Sequence, residues 1–264
     1  PCMSHPSQPP RRSRSTPKPL GVFPRYLERA ASAGFMKRFL LRFFPMHFLD
    51  AVGFELRNAW LRVLAPLRAR RFRGKKDLLV QVGCGPHGRE GWVNVDCFPG
   101  KKVNCLYDIR KDLPFDDASV RGIYSEHVVE HLDYTQEIPS FLAECHRCLA
   151  PGGVLRIIVP DAGRYLHAYA AGGFTEFVPL RPLVDGADRW FKHKYHTPME
   201  LVNAVFRQGP EHHFAYDAET LEFVLRHAGF ENVTQRSFGV SADPVMCLDI
   251  PERATESLYM EAVK

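Results

Sequence analysis

The chain has 264 residues, of which 45% are apolar and 25% charged, with a formal net charge of +5. That is room for one α/β domain with extensions, or two small domains, of ordinary globular composition. No apolar run approaches the roughly 20 residues of a membrane-spanning helix, and the opening PCMSHPSQPPRRSRSTPKP lacks the charged-then-apolar order of a secretory signal.

These features lead us to expect a cytoplasmic protein. Seven cysteines are scattered without a framework spacing, which fits reduced thiols. The CxxC pair Cys145 and Cys148 lies in the helix-like FLAECHRCLAPGG and reads as packing of a helix face. Charge divides sharply: residues 1–76 carry a net +14 and residues 77–264 a net −9. A basic arm on an acidic domain points to contact with phosphate, on lipid or nucleic acid.

In chain order, residues 1–20 read as a disordered basic tail. Residues 21–76 read as a basic helical extension. Its Phe48, Val52, Leu56, Trp60, Leu61 and Leu64 recur at spacings of three and four, which predicts one apolar face. Two uses compete for it: packing on the main domain, or lying on an anionic membrane surface through residues 21–73, with nucleic acid behind both.

From Asp77 short strands alternate with helices, which predicts a mostly parallel sheet covered on both faces. Strands are expected at 78–82, 92–95, 102–107, 121–125 and 153–159, and helices at 135–149 and 218–228. Residues 230–263 read as two further strands around Ala242-Asp243-Pro244. Residues 160–216 show no clear period and read as an insertion over the sheet's carboxyl edge, where such sheets bind ligands.

Gly83-Cys84-Gly85 follows the first strand directly, so backbone can approach a ligand closely; with Gly88 it has GxGxxG spacing, a weak signal alone. Asp96 ends the second strand and can accept hydrogen bonds from ribose hydroxyls. Only ten residues separate Gly85 from Asp96, so a loop is expected where a full helix usually sits. Without that helix N-terminus the pyrophosphate of a dinucleotide lacks its usual holder. The spacing therefore points to a nucleoside cofactor without phosphate, and S-adenosylmethionine fits.

Asp108, ending the third strand, can reach an adenine amino group, with Ile109 over the ring. Ser125, Glu126 and His127 leave the fourth strand at the same edge. Glu130 and His131 follow one turn later and read equally well as helix-start electrostatics.

The ordered runs VGCGPHGREGWVNVD, DIRKDLPFDDASVRGIYSEHVVEHL, ECHRCLAPGGVLRIIVPD and YDAETLEFVLRHAGFENV resemble the class I S-adenosylmethionine-dependent methyltransferases, type 11 group. Within it they resemble a subgroup whose glycine loop runs straight into a GWxNVD strand. The resemblance covers residues 77–264 and implies a Rossmann-like seven-stranded sheet, mostly parallel with the last strand antiparallel. It implies a cofactor site at Gly83, Gly85, Asp96, Asp108 and Ser125.

Methyl transfer requires alignment of the acceptor and, for a hydroxyl, a base. Candidates are His213 and His212 in GPEHHFAYD, Asp161 in VPD, and more weakly His193 and His196. Asp161 reads equally as a helix cap. A metal site at the histidines lacks a visible third ligand. The expected function is O-methylation of a small-molecule, sugar or lipid-linked glycan acceptor. RNA methylation and a non-catalytic scaffold are the alternatives.

Overall fold

The computed structural model describes residues 39–180, 195–208 and 211–264. The expected tail at 1–20, the first part of the extension, and His193, Trp190 and Phe191 of the insertion lie outside these residues.

Seven strands form one sheet: β1 Leu78–Val82, β2 Val93–Asp96, β3 Cys105–Leu106, β4 Val120–Glu126, β5 Leu149–Pro160, β6 Asn232–Arg236 and β7 Ser257–Val263. Their spatial order is β3-β2-β1-β4-β5-β7-β6. All neighbouring pairs are parallel except those of β7, which runs antiparallel to both β5 and β6. This is the expected α/β, Rossmann-like sheet. β3 is shorter than predicted because residues 101–102 turn and only two residues pair with β2.

The central strands are near-continuous apolar runs because both faces are covered. One face carries Val80, Val82, Val95, Ile123 and Ile157 against α2 (Glu137–Cys148) and α5 (Ala218–His227). α2 offers Ile138, Phe141, Leu142 and Cys145, all within 1% exposure, at the three- and four-residue spacing of a helical stripe. Cys145 and Cys148 are thus core residues, and burial pushes the Cys148 thiol up to about 12. The other face packs Trp92, Tyr124, Ile158 and Tyr259 against Met246, which ends a 3-10 turn in the β6–β7 connection. Arg156, fully buried on β5, is held there by Asp249 at 2.5 Å and Glu261 at 2.8 Å.

The insertion is more ordered than its composition predicts. α3 (Ala162–Ala171) and α4 (Pro198–Arg207) enclose a small core of their own with Phe177, Leu180, Leu201 and Val205. α4 starts on a capping box, Thr197 with Glu200, and Pro198 at its first position.

α1 (Met46–Ala69) lies within the expected extension, and its exposure corrects the predicted single face. Leu61 is buried toward the domain, and Phe54 and Ala65 share its side. Phe48, Val52, Leu56, Trp60, Val63 and Leu67 line the opposite side and are 40–74% exposed. At 100° per residue, Leu61 stands a quarter-turn beyond Trp60, enough to move it off the outer stripe.

Candidate functional site

β1 sits between β2 and β4, with Val82 opposite Val95 on one side and Ser125 on the other. The chain therefore leaves β1 at Gly83 beside both Asp96 and Ser125. Gly83 and Gly85 take φ of +62° and +49°, left-handed values that only glycine adopts freely. A Cβ on Gly83 would stand 2.2 Å from Val128 Cγ2, whereas one on Gly85 would meet open space. In place of a helix the chain makes one 3-10 turn, Gly85–His87.

Asp96 ties this loop down. Its Oδ2 accepts from the Gly85 amide at 2.8 Å and its Oδ1 from the Phe98 amide at 2.8 Å. Each oxygen keeps a second lone pair. Cys84 turns its thiol inward, and burial together with the Asp96 charge pushes that thiol up to about 11. Ser125 is fully buried, and among the described residues its hydroxyl has no hydrogen-bond partner.

The remaining candidates are placed differently. Asp108 is buried under two guanidinium groups, Arg62 of α1 at 2.6 Å and Arg110 at 2.9 Å. Burial alone would raise its carboxyl, but the hydrogen bonds and charge of Arg110, with Arg62 behind, outweigh that and hold it below the usual range. Ile109 is half-buried against the main core. Glu126 faces the same side of the sheet as Tyr124, whose hydroxyl donates to it at 2.8 Å, and is thereby turned to the face opposite Ser125. His127, at φ +54°, reaches across β5 to Ser257 of β7, with Nε2 3.0 Å from its hydroxyl.

Among the base candidates, Asp161 caps α3, accepting from the Arg164 amide at 3.2 Å, and pairs with the Arg164 side chain. It also lines a cavity of about 640 Å³ shared with His167, Glu176, Asp217 and Glu219. His213 is exposed, and its amide donates to the Glu130 carbonyl at 2.7 Å. His212 is buried with Nδ1 2.5 Å from the Val205 carbonyl, and burial lowers its pKa. Neither histidine lines that cavity. The His196 amide donates to Glu200 at the start of α4.

Two features escaped the sequence. α1 borders the site: Phe98, two residues past Asp96, meets Phe54 at 5.9 Å and lies 4.5 Å beneath the Arg57 guanidinium. Glu130 is not at a helix start; it belongs to a single 3-10 turn, Val129–His131, and is 1% exposed. Burial raises its carboxyl to about 8. A basic stripe in α1 was legible, but its partners Asp108 and Phe98 were not, because they lie some 40 residues away in sequence.

Residues 99–157 match the family model described as a methyltransferase domain. That match runs from the residues before β3 through β4 and α2 and into β5. Over 89 residues it is 32% identical to malonyl-[acyl-carrier protein] O-methyltransferase 1 of Coxiella burnetii, a match covering 33% of this chain and 30% of that one. The match therefore spans under a third of that relative's length.

Among solved structures, a SAM-dependent methyltransferase from Archaeoglobus fulgidus is 19% identical with a TM-score of 0.43, covering 83% of this chain and 100% of that one. The Burkholderia thailandensis 1,6-didemethyltoxoflavin-N1-methyltransferase is 14% identical with a TM-score of 0.39, covering 95% and 92%.

Proposed function

We propose that the protein is an S-adenosylmethionine-dependent methyltransferase of the type 11, GWxNVD subgroup. Its proposed acceptor is a hydroxyl of a small molecule, a sugar or a lipid-linked glycan. The observation that carries the cofactor reading is the single 3-10 turn between Gly83-Cys84-Gly85 and Asp96. It offers no helix N-terminus to a pyrophosphate, yet leaves a carboxylate with spare lone pairs for a ribose diol. The unpartnered Ser125 hydroxyl and the open space at Gly85 fit the same ligand. When bound, that cofactor supplies a methyl group already activated on a sulfonium.

The chain's own residues then hold and align. Asp96 takes the ribose hydroxyls, the glycine backbone gives close approach, and Ser125 donates to a polar group of the amino-acid part. Ile109 borders the nucleoside end, and Asp108, held by Arg62 and Arg110, frames that edge rather than presenting a free carboxylate. His213, exposed and pinned by its amide to Glu130, is the proposed base that receives the acceptor's proton, with Asp161 behind it; the buried His212 has its Nδ1 committed to the Val205 carbonyl.

We place the protein on the cytoplasmic membrane surface. Among the described residues no helix is long and apolar enough to cross a membrane. α1 instead presents Phe48, Val52, Leu56, Trp60, Val63 and Leu67 outward, and the exposed Arg70 and Arg73 follow it, the make-up of a helix that lies on anionic lipid.

The test uses S-adenosylmethionine with a labelled methyl group, offered with lipid extract, soluble metabolites and total RNA. Label in a glycan or small-molecule fraction, lost in Asp96→Ala, supports the proposal. Label in RNA overturns the acceptor class, and no label in any fraction overturns methyl transfer itself.

A further inference from the structure

Glu130, His131 and His212 come together although the histidines are 81 positions apart, with candidate ligand atoms all within 4.8 Å of one another. The side chains are prepared as ligands. The Nδ1 of His131 lies 2.9 Å from the Glu211 carbonyl, and that of His212 lies 2.5 Å from the Val205 carbonyl. A carbonyl only accepts, so each Nδ1 carries the proton and each Nε2 keeps its lone pair. A backbone carbonyl behind the ring is how metal-bound histidines are commonly oriented.

Glu130 adds an independent sign. Its side chain is 2% exposed, and among the described residues neither carboxylate oxygen has a hydrogen-bond partner. The His127 Nδ1 lies 3.5 Å from Oε1, and the Arg253 charge also acts on the carboxyl. A buried carboxyl group without hydrogen bonds is an unsatisfied polar group, and a bound cation would satisfy it.

We propose that Glu130, His131 and His212 bind one divalent transition-metal ion of the zinc class. Two imidazoles and a carboxylate suit zinc and leave a fourth position for an oxygen ligand. Bonds of about 2.1 Å would bring the donors to roughly 3.4 Å of one another, a change within reach of side-chain torsions. The Glu130 carbonyl already accepts from His213 and Phe214. The ion would add a side-chain lock between the same two segments, holding the His212–Phe214 loop to the sheet edge. This inference does not depend on the methyl-transfer reading.

The test is metal binding by the full chain after chelation and dialysis. Zinc should bind at one equivalent and raise the melting temperature. Cobalt in its place should show visible ligand-field bands without the near-ultraviolet charge-transfer band of a thiolate. Glu130→Gln and His131→Gln, the latter at the less buried ligand, should each weaken zinc binding on the order of 100-fold. Stoichiometric zinc absent from the unmutated chain, a thiolate band with cobalt, or unchanged affinity in folded Glu130→Gln would each overturn the proposal. The cobalt spectrum decides without any variant.

Discussion

The amide of Gly85 donates to Oδ2 of Asp96 at 2.8 Å, so the second glycine of the loop and the last residue of β2 hold each other in place. The bond replaces the helix that usually joins these two positions. It fixes a carboxylate at the sheet edge and makes Asp96 both a loop anchor and a ligand group.

Asp96→Ala is therefore expected to weaken S-adenosylmethionine binding on the order of 10- to 100-fold, through loss of charge-assisted hydrogen bonds. Calorimetry on a variant shown to be folded checks this; unchanged affinity removes Asp96 from the site.

Gly83→Ala tests the loop's packing. The new Cβ meets Val128 Cγ2 at 2.2 Å at a φ of +62°, so a loss of about 1–3 kcal/mol in stability is expected. Adding Val128→Ala should remove the clash and leave only the backbone strain. Urea denaturation of both variants measures the difference; a double variant no better than expected from two independent losses would show that the contact is not the cause.

His213→Ala is expected to spare cofactor binding and lower turnover by roughly 10²- to 10⁴-fold. Turnover equal to the unmutated enzyme would leave the base elsewhere or absent.

Arg156 is the stability counterpart. It is fully buried between Asp249 and Glu261, each with a side chain 1% exposed. Arg156→Met leaves two buried carboxylates with far less compensation, and a loss of about 3–5 kcal/mol is expected. Arg236 stays 3.0 Å from Glu261 and softens the effect there. A change within about 0.5 kcal/mol by urea denaturation would contradict the reading.

On the membrane side, Trp60→Ser with Val63→Ser should lower binding to vesicles containing anionic lipid on the order of 100-fold. Cofactor affinity should not move, because both side chains point away from the domain. Equal binding by the double variant would remove α1 from the membrane.

The sheet was legible because its strands are short apolar runs closed by glycine or aspartate; β1 falls on its predicted residues and β4 and β5 contain theirs. α2 and α5 were legible from their stripes. α3 and α4 were not, because residues 160–216 mix aromatic, glycine and proline residues. Yet the Thr197-Pro198 cap with Glu200 was a local signal of α4.

In the site, Gly83, Gly85 and Asp96 were readable because one short segment contains them. The Asp108 ion cluster and the Glu130, His131 and His212 group were hidden, since their members join only when distant segments meet. The two faces of α1 were hidden for another reason: a run of apolar residues says how a helix is striped, but not which stripe the domain covers.

The central claim is most directly tested by calorimetric titration of the purified protein with S-adenosylmethionine, S-adenosylhomocysteine and NAD. The account predicts micromolar binding of the first two and none of NAD. Binding of NAD alone would contradict it.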